Sequence, residues 1–557
     1  MRSTKNVWGG AVRTGLIWGA VAVFVAFAGM VEAFADRRVV AGALSLGPAL
    51  PLLAALGAGY QAGRRAHRAG VAVLLRGTLA GAVVGAAVGV LVVLGSFLDL
   101  RAVLVNASPI LFRLLSFGQG ATGAYFPVLA GAAAGVAGAA GSLLGGRMLR
   151  PVVAGLVAIL AIGLFQELFQ LMLFEGAVRT AIRGFFFSAD ALSALGAAVA
   201  FLVAGGLSMG WVYRGELVRQ RIRRLPPAQR KGLRLFALGL GAAAMLVVPQ
   251  VAGLFLSHVL VLVGLYVLMG LGLNLEVGYA GLLDLGFVAF FAIGAYTVGL
   301  LTSTSALAIA TFSFWAAVPI AVIVSLVAGV ILGLPVLRIR GDYLAIATLG
   351  FGEITRLLVL SDFLRPWLGG SQGVLGIPKP TLWGAELRGP EQLFYLTLAA
   401  SALVAFIAAR LRDSRLGRAW MALREDEDVA EAMGINLVNV KLLAYGLGAA
   451  FAGVSGAIFA VMVGSVFPHS FQLLISINVL ALIIVGGMGS MPGVAVGSLF
   501  LVGMPELLRE FSDFRFLLYG AALVIMMQLR PEGLWPAAAI RRELHAGHEP
   551  GGPPQTV

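Results

Sequence analysis

The chain is 557 residues long, 60% hydrophobic and 12% charged, and it has no cysteine, which excludes disulfides, iron–sulfur clusters and cysteine nucleophiles. A soluble domain of this length could not hide so much apolar surface, so the composition excludes a soluble globular protein. A net charge of +14 would suit nucleic acid, but the basic residues stand in short clusters between apolar runs, where they read as determinants of membrane topology.

The first part of the chain contains apolar runs of about 17–25 residues, each long enough to cross a bilayer. Six spans are predicted there, near Gly15–Phe34, Val39–Tyr60, Thr78–Leu98, Ala121–Leu144, Pro151–Phe174 and Ala189–Tyr213. The basic start Met1–Lys5 and the small-residue site Ala33-Phe34-Ala35 also fit a cleaved signal peptide, but the length of the first apolar run and the spans that follow favour a retained helix.

The most hydrophilic stretch of the first half is Arg214–Arg234, in which eight basic residues accompany the single acid Glu216. Pro226 and Pro227 interrupt it, so one long helix through this stretch is not expected. We therefore predict a helical membrane extension over 1–213, a basic cytoplasmic linker over 214–234, a second membrane domain over 235–536 and a cytoplasmic tail over 537–557.

The second membrane domain continues the all-α pattern. Its predicted spans are Leu235–His258, Val259–Leu275, Gly286–Ser303, Phe312–Val336, Tyr343–Leu360, Glu391–Arg410, Val440–Val463, the run Ser476–Val502 split in two at Gly486–Gly493, and Phe514–Gln528. The fold class is thus a polytopic helical membrane protein of about 14–16 spans. With sixteen spans and both termini in the cytoplasm, most basic clusters fall inside, although Arg37-Arg38, Arg101/Arg113 and Arg179/Arg183 do not.

A polar loop, Asp413–Asn436, separates two of these spans. Leu416, Trp420 and Leu423 recur in it at helical spacing among charged residues, and Gly434 is a helix stop signal. The pattern fits a short amphipathic helix lying against the membrane face, and on physical grounds alone it fits an ordinary solvated loop equally well.

Besides the polar loop, with its ending Glu431-Ala432-Met433-Gly434, six motifs occur over about 235–536: Gly278–Gly286, Phe290–Tyr296, Arg338–Arg356, Gly369–Gly373, Val485–Gly493 and Arg530–Leu534. Together and in this order they resemble the LivM family of branched-chain amino acid permeases. Met433 stands where the Glu-Ala-Ala pattern of importer loops has its second alanine. No motif of the family, or of its partner permease, is found in residues 1–213.

This resemblance implies the permease core of an ABC importer in the bacterial inner membrane, which translocates branched-chain amino acids. The implied partners are a second, LivH-like permease, two ABC ATPases and an extracytoplasmic substrate-binding protein. The resemblance also implies that this chain is a transport subunit and not itself an enzyme. ATP and Mg would be bound by the ATPases, and no cofactor by this chain. The coupling loop implied for ATPase contact carries Arg415, Gly417, Arg418, Trp420, Glu425, Glu431, Ala432 and Gly434.

Two absences in the sequence agree with this implication. No lysine follows a glycine, so the chain cannot contain the Gly-Lys of a Walker A phosphate loop. The histidines are scattered, and His545 and His548 in the tail have no other obvious ligand nearby, so no metal site is predicted.

Polar and glycine-rich positions at membrane depth are the candidates for a translocation path: Gly278, Tyr279, Gly281, Asp284 and Glu353. Glu276 and Glu167 are further acids at membrane depth and candidates of the same kind. The glycines serve either the path or close helix packing, the latter being favoured for Gly131–Gly135. Glu353 lies one turn before Arg356, so a helical ion pair competes with a substrate contact.

Three alternative functions compete with this one. Urea or a short amide is a rival substrate, because urea permeases resemble the same segments. An ion-coupled secondary transporter should show two internal repeats with interrupted helices, and no convincing repeat is found. A membrane enzyme lacks any constellation of nucleophile, base and acid.

Overall fold

The computed structural model describes residues 5–41, 44–65, 70–102, 104–166, 169, 184–188, 191–224, 226–336, 339, 341–511, 514–530 and 532–536. Within these ranges, 11 helices are long and apolar enough to cross a membrane, and four shorter apolar helices accompany them. The predicted class, a polytopic helical membrane protein, is confirmed. The end of the predicted span Pro151–Phe174 and the acid Glu167 lie outside the described residues.

The chain forms two compact units, Met1–Ala242 and Ala243–Val557. The α-helices of the first unit are Lys5–Phe27, Met30–Ala33, Leu46–Arg64, Val71–Phe97, Pro109–Leu115, Tyr125–Leu143, Gly146–Leu164 and Ala194–Arg224. Short 3₁₀ turns occupy Leu100–Ala102 and Gly120–Ala124.

Glycine allows the two central helices of this unit, Val71–Phe97 and Tyr125–Leu143, to touch backbone to backbone. A Cβ added at Gly81 would lie 2.1 Å from the carbonyl oxygen of Gly131, and one at Gly135 would lie 2.2 Å from that of Gly77. Small residues permit such close approach where lipid gives no hydrophobic drive for association. The packing interpretation of Gly131–Gly135 is confirmed.

A small sheet that the sequence did not predict joins two segments of the first unit that are far apart along the chain. Its strand order is Leu44–Ser45, Arg38–Val40, Ala191–Leu192 and Phe187–Ser188. The two inner strands pair in parallel, with Val40 opposite Leu192, and the outer pairs are antiparallel.

The basic stretch 214–234 is mostly helical and is divided at its prolines. One helix ends at Arg224 and the next, Pro227–Leu273, begins two residues after Leu225. That second helix is itself broken at Gly253, whose φ of +74° is a left-handed conformation that glycine tolerates.

The second unit follows the predicted spans to within a few residues. Its further α-helices are Val288–Thr302, Phe314–Val336, Asp342–Leu360, Arg365–Leu368, Pro390–Asp413, Arg415–Glu425, Glu427–Ala432, Leu437–Val463, Leu473–Gly486, Met491–Ser498, Met504–Leu507 and Phe514–Leu529. Asn274–Tyr279 and Leu499–Gly503 are π-helical, and Gly370–Gln372, Pro468–Ser470 and Leu508–Phe511 are 3₁₀ turns. The predicted division of Ser476–Val502 into two helices is confirmed.

The helix Leu437–Val463 lies at the centre of the second unit, packed against Val288–Thr302 and Phe314–Val336. Its glycines permit this packing, because a Cβ at Gly456 would lie 2.1 Å from the carbonyl oxygen of Phe291. The central helix therefore connects the polar loop at its start with the interior of the membrane domain.

The C-terminal end of the central helix contacts loops that the length of one span separates from the polar loop. Lys379 Nζ donates to the carbonyl oxygens of Val461 and Met462 at 2.7 and 2.8 Å, where a cation satisfies the last carbonyls of a helix. The strands Val374–Leu375 and Ser465–Val466 pair beside it. An exposed hairpin, Thr381–Leu382 with Ala385–Glu386, carries Trp383 at its tip, 97% exposed.

Candidate functional site

The polar loop folds into two helices where the sequence suggested one. Ser414 caps the first, its hydroxyl accepting from the amide of Gly417 at 3.3 Å. Asp426 has an extended backbone, with φ −159° and ψ 117°, and its carboxylate accepts from the amides of Asp428 and Val429 at 2.9 and 3.0 Å. A capping aspartate thus ends the first helix, Arg415–Glu425, called here the loop helix, and starts the second.

The inner side of the loop helix is fixed to the membrane domain, as the apolar stripe predicted. Trp420 is completely buried, and its indole Nε1 donates to the carbonyl oxygen of Val440 at 2.9 Å. Leu423 is buried and Leu416 is half-buried against the same core. Gly417 is needed where the helix starts, because a Cβ there would lie 2.2 Å from the carbonyl oxygen of Arg412.

The outer side of the polar loop is exposed and mixes charge with apolar surface. The exposed candidate residues are Arg415, Arg418, Glu425, Glu431, Ala432 and Gly434. Among them stand the apolar side chains of Met421, Val429 and Met433, the last 78% exposed. Gly434 ends the second helix with φ +84°, which confirms it as the stop signal.

Two charge pairs flank the loop helix. Lys441, which is buried at the start of the central helix, forms an ion pair with Glu427 in the second helix of the polar loop, Glu427–Ala432. Arg412 Nε donates to Asp413 Oδ1 at 2.8 Å, and this hydrogen bond lowers the pKa of the Asp413 carboxyl. The first pair holds the loop to the membrane domain, whereas the second is solvent-exposed and contributes little to stability.

The glycine-rich segment Gly278–Gly286 lies between two spans. The span Gly253–Tyr279 ends in the π-helical turn, and the next helix begins at Val288, so residues 280–287, called here the break, are not helical. Three side-chain hydrogen bonds connect the break and its flanks to distant elements. Asn274 Oδ1 accepts from the amide of Gly489 at 2.9 Å, Thr348 Oγ1 from that of Leu285 at 3.0 Å, and Ser476 Oγ from that of Val288 at 2.9 Å.

Glycines in and beside the break leave no space for side chains. A Cβ at Gly278 would lie 2.1 Å from Asn274 Oδ1, and one at Gly286 would lie 2.0 Å from the carbonyl oxygen of Thr348. Gly281 is exposed and has φ +73°, a conformation that a residue with a Cβ adopts only with strain. These glycines therefore serve close packing and a turn, and a role in lining a path stays a prediction.

Two acids lie buried beside the break. Glu276 and Asp284 are 0% and 1% exposed, and their carboxyl groups are electrostatic neighbours. Asp284 Oδ1 accepts from the amide of Gly286 at 2.7 Å, and the Glu276 carboxylate lies so close to the central helix that a Cβ at Gly448 would be 1.9 Å from its Oε1. Tyr279 is buried as well. These residues belong to the interior of the second unit.

Glu353 and Arg356 form the ion pair that their spacing predicted. Arg356 Nε donates to both carboxylate oxygens of Glu353, at 3.0 and 3.1 Å. The two side chains remain 40% and 27% exposed on the span Tyr343–Leu360. A small pocket adjoins Arg356 and is lined also by Tyr296 and Phe471.

One contact that sequence reasoning missed joins the polar loop to the break. Arg424 Nη1 donates to the carbonyl oxygen of Gly278 at 2.6 Å. In the sequence Arg424 appears only as one charged residue of the loop, and nothing local marks it, because its partner precedes it by 146 residues.

Comparisons with known proteins agree on one kind of transporter. Residues 255–527 match the family described as branched-chain amino acid transport system, permease component. The permease LivM of Salmonella typhimurium is 42% identical over 310 residues, which cover 52% of this chain and 71% of that protein. LivM of Escherichia coli is 38% identical over 388 residues, covering 61% and 88%. The permease LivH of Escherichia coli is 27% identical over 188 residues, covering 31% and 60%.

The similarity to the Escherichia coli protein reaches further than the motifs indicated. Its 61% share of this chain is larger than the stretch from Leu235 to the C-terminus, so the similarity begins before Leu235. No solved structure matches the chain significantly.

Proposed function

This chain belongs to the LivM family of branched-chain amino acid transport permeases, and from that premise we propose that it is the membrane-spanning permease subunit of an ATP-driven importer of branched-chain amino acids. The observation that carries the proposal is the polar loop. Its inner side is locked to the central helix through Trp420 and Lys441, while its outer side is free to meet a partner.

The chemistry of the outer side suits an ATPase subunit. Met421, Val429 and Met433 are exposed in a loop between spans, where a soluble partner would cover them. Arg415, Arg418, Glu425 and Glu431 surround them and would fix the register of docking by charge complementarity. Because the sequence has no Walker A loop, ATP and Mg would be bound by two such ATPases and not by this chain.

A second permease subunit would complete the translocation path. The Glu353–Arg356 pair is partly exposed on a membrane span, where contact of charged groups with lipid is costly. Similarity to both LivM and LivH permeases supports a LivH-like partner that covers this side. The pair offers a cation for a substrate carboxylate and a carboxylate for its ammonium group, and an extracytoplasmic binding protein would deliver that substrate.

The orientation follows from charge. Arg410–Arg424 is basic and carries the proposed ATPase contact, so the polar loop faces the cytoplasm of a bacterial cell and the chain lies in the inner membrane. Both termini then lie on the cytoplasmic side.

The test is ATP hydrolysis in nanodiscs that contain this chain, the neighbouring permease and the two neighbouring ATPases. A leucine-, isoleucine- or valine-loaded binding protein should stimulate hydrolysis, and the same protein with urea should not. Glu431→Lys and Arg418→Glu should abolish the stimulation together with ATPase association. Wild-type chain that never binds the ATPases would refute the proposal and direct attention to ion-gradient transport.

A further inference from the structure

Arg424 caps the C-terminal end of a membrane span to which it does not itself belong. The last carbonyls of a helix have no amide further along the helix to accept from, and a cation is favourable at this end. The span Gly253–Tyr279 ends at the break, and the guanidinium of Arg424 donates to one of its last carbonyl oxygens, that of Gly278, at 2.6 Å. The cap of this span is therefore supplied by the polar loop.

The backbones of the loop helix and the break also touch near this bond. A Cβ at Gly281 would lie 3.0 Å from Cγ and 3.2 Å from Cα of Arg424. Gly281 has φ +73°, so both its conformation and its surroundings favour glycine. The break thus rests directly on the C-terminal turn of the loop helix.

The loop helix is held to two membrane elements in two different ways. The central helix follows the polar loop along the chain and is joined to it by Trp420 and by the Glu427–Lys441 pair. The break precedes the loop by more than a hundred residues, and it is joined to the loop helix through Arg424. Movement of the loop helix would therefore displace the break through two contacts, the hydrogen bond from Arg424 to Gly278 and the packing of Gly281 against Arg424.

We propose that Arg424 is a positioning residue for transport, which transmits movement of the loop helix to the break by holding the carbonyl of Gly278. The inference rests on the proposed function, because it requires an ATPase that moves the loop. Without this contact the loop still binds an ATPase, but ATP hydrolysis is only weakly coupled to substrate transport.

The experiment measures leucine transported per ATP hydrolysed in proteoliposomes that contain the complete transporter and leucine-loaded binding protein. Arg424→Met keeps the apolar stem and removes every donor, and Arg424→Lys keeps the charge and an ammonium donor group but loses the planar guanidinium. We expect Arg424→Met to lower the ratio about tenfold, within the range of about 5–150-fold typical of coupling between sites, and Arg424→Lys to lower it less. ATPase co-purification and thermal stability should match the wild type, whereas the control Arg418→Glu should lose co-purification.

Gly281→Ala perturbs the same contact from the break and decides the matter if Arg424→Met fails to fold. Its effect on the ratio should be of the same sign, and the double variant Arg424→Met/Gly281→Ala should be no worse than the more severe single one, since residues that share one contact are not additive. An unchanged ratio in folded variants, or loss of ATPase association in Arg424→Met, would overturn the inference. A wild-type transporter without leucine-stimulated hydrolysis would instead refute the proposed function, and the inference with it.

Discussion

The indole N–H of Trp420 donates to the backbone carbonyl of Val440 across 2.9 Å, and this bond ties the loop helix to the first turn of the central helix. The tryptophan has no exposed surface, although it belongs to a polar segment between two spans. A rigid loop is required if a push from a soluble partner is to move a membrane helix and not only bend the loop.

Replacement of Trp420 should loosen this joint. Trp420→Ala should cost about 3–5 kcal/mol through the cavity it leaves, and Trp420→Phe about 1–3 kcal/mol through the lost indole donor. Thermal unfolding of the purified chain in detergent measures both. Met421→Ala, at an exposed neighbouring position, is the control and should change stability little. Equal stability of Trp420→Ala and Met421→Ala would contradict the proposed anchor.

The contact between Glu276 and the central helix should not tolerate one added methyl group. Gly448→Ala would place a Cβ 1.9 Å from Glu276 Oε1, so it should lower the thermal stability by an amount typical of overpacked interiors, about 1–3 kcal/mol. Gly350→Ala is the matched control, because nothing lies within 4 Å of an added Cβ there. If both variants unfold at one temperature, the tight approach of Glu276 to Gly448 is wrong.

Asp284 should act as a hydrogen-bond acceptor whose charge is dispensable for folding. Asp284→Asn retains an oxygen for the amide of Gly286, whereas Asp284→Val leaves that buried amide without a partner at a cost of about 1–3 kcal/mol. Unfolding in detergent should rank the wild type and Asp284→Asn together, above Asp284→Val. Transport by Asp284→Asn then reports separately on any role of the carboxyl charge, and a destabilised Asp284→Asn would count against the acceptor role.

The absence of native cysteine gives a clean test of orientation. A membrane-impermeant maleimide should label Trp383→Cys in intact cells and Met433→Cys only after the membrane is opened, because one span separates their loops and both side chains are well exposed. The cysteine-free wild type controls for background. The opposite labelling pattern would place the polar loop outside the cell and refute ATPase docking there.

Deletion of Met1–Tyr213 should leave ATPase association intact. The polar loop lies in the second unit, Ala243–Val557, and so do Val440, Gly278 and Lys441, which hold it. The measurement is ATPase co-purification with a truncated chain that is monodisperse and unfolds cooperatively, and Arg418→Glu in the same truncated chain is the negative control. Loss of the ATPases from a well-folded truncation would show that the first unit takes part in docking.

Most of the helical fold is predictable from the sequence, because a bilayer demands long apolar runs and the runs are plain to read. The predicted Phe312–Val336 and Val440–Val463 correspond to helices at Phe314–Val336 and Leu437–Val463. The two- and three-residue strands of the first unit were missed, since such short strands carry no periodic signal and depend on partners far along the chain.

The candidate site was predictable where its signal is local. Helical spacing revealed Trp420 as an anchor, and Gly434 as a stop. The division of the loop at Asp426 was missed. Asp426 is one of four consecutive acidic residues, and the sequence does not indicate which of the four caps a helix. The bond from Arg424 to Gly278 was beyond reach for another reason, since proximity of residues 146 apart is decided by the packing of several spans.

The break has a consequence for how the chain is made. Asn274 meets Gly489, 215 residues later, and Val288 meets Ser476, 188 residues later. During synthesis Asn274 and the amide of Val288 are therefore made well before their partners Gly489 and Ser476. A chain that stops short of Ser476 lacks the hydroxyl that accepts from the Val288 amide.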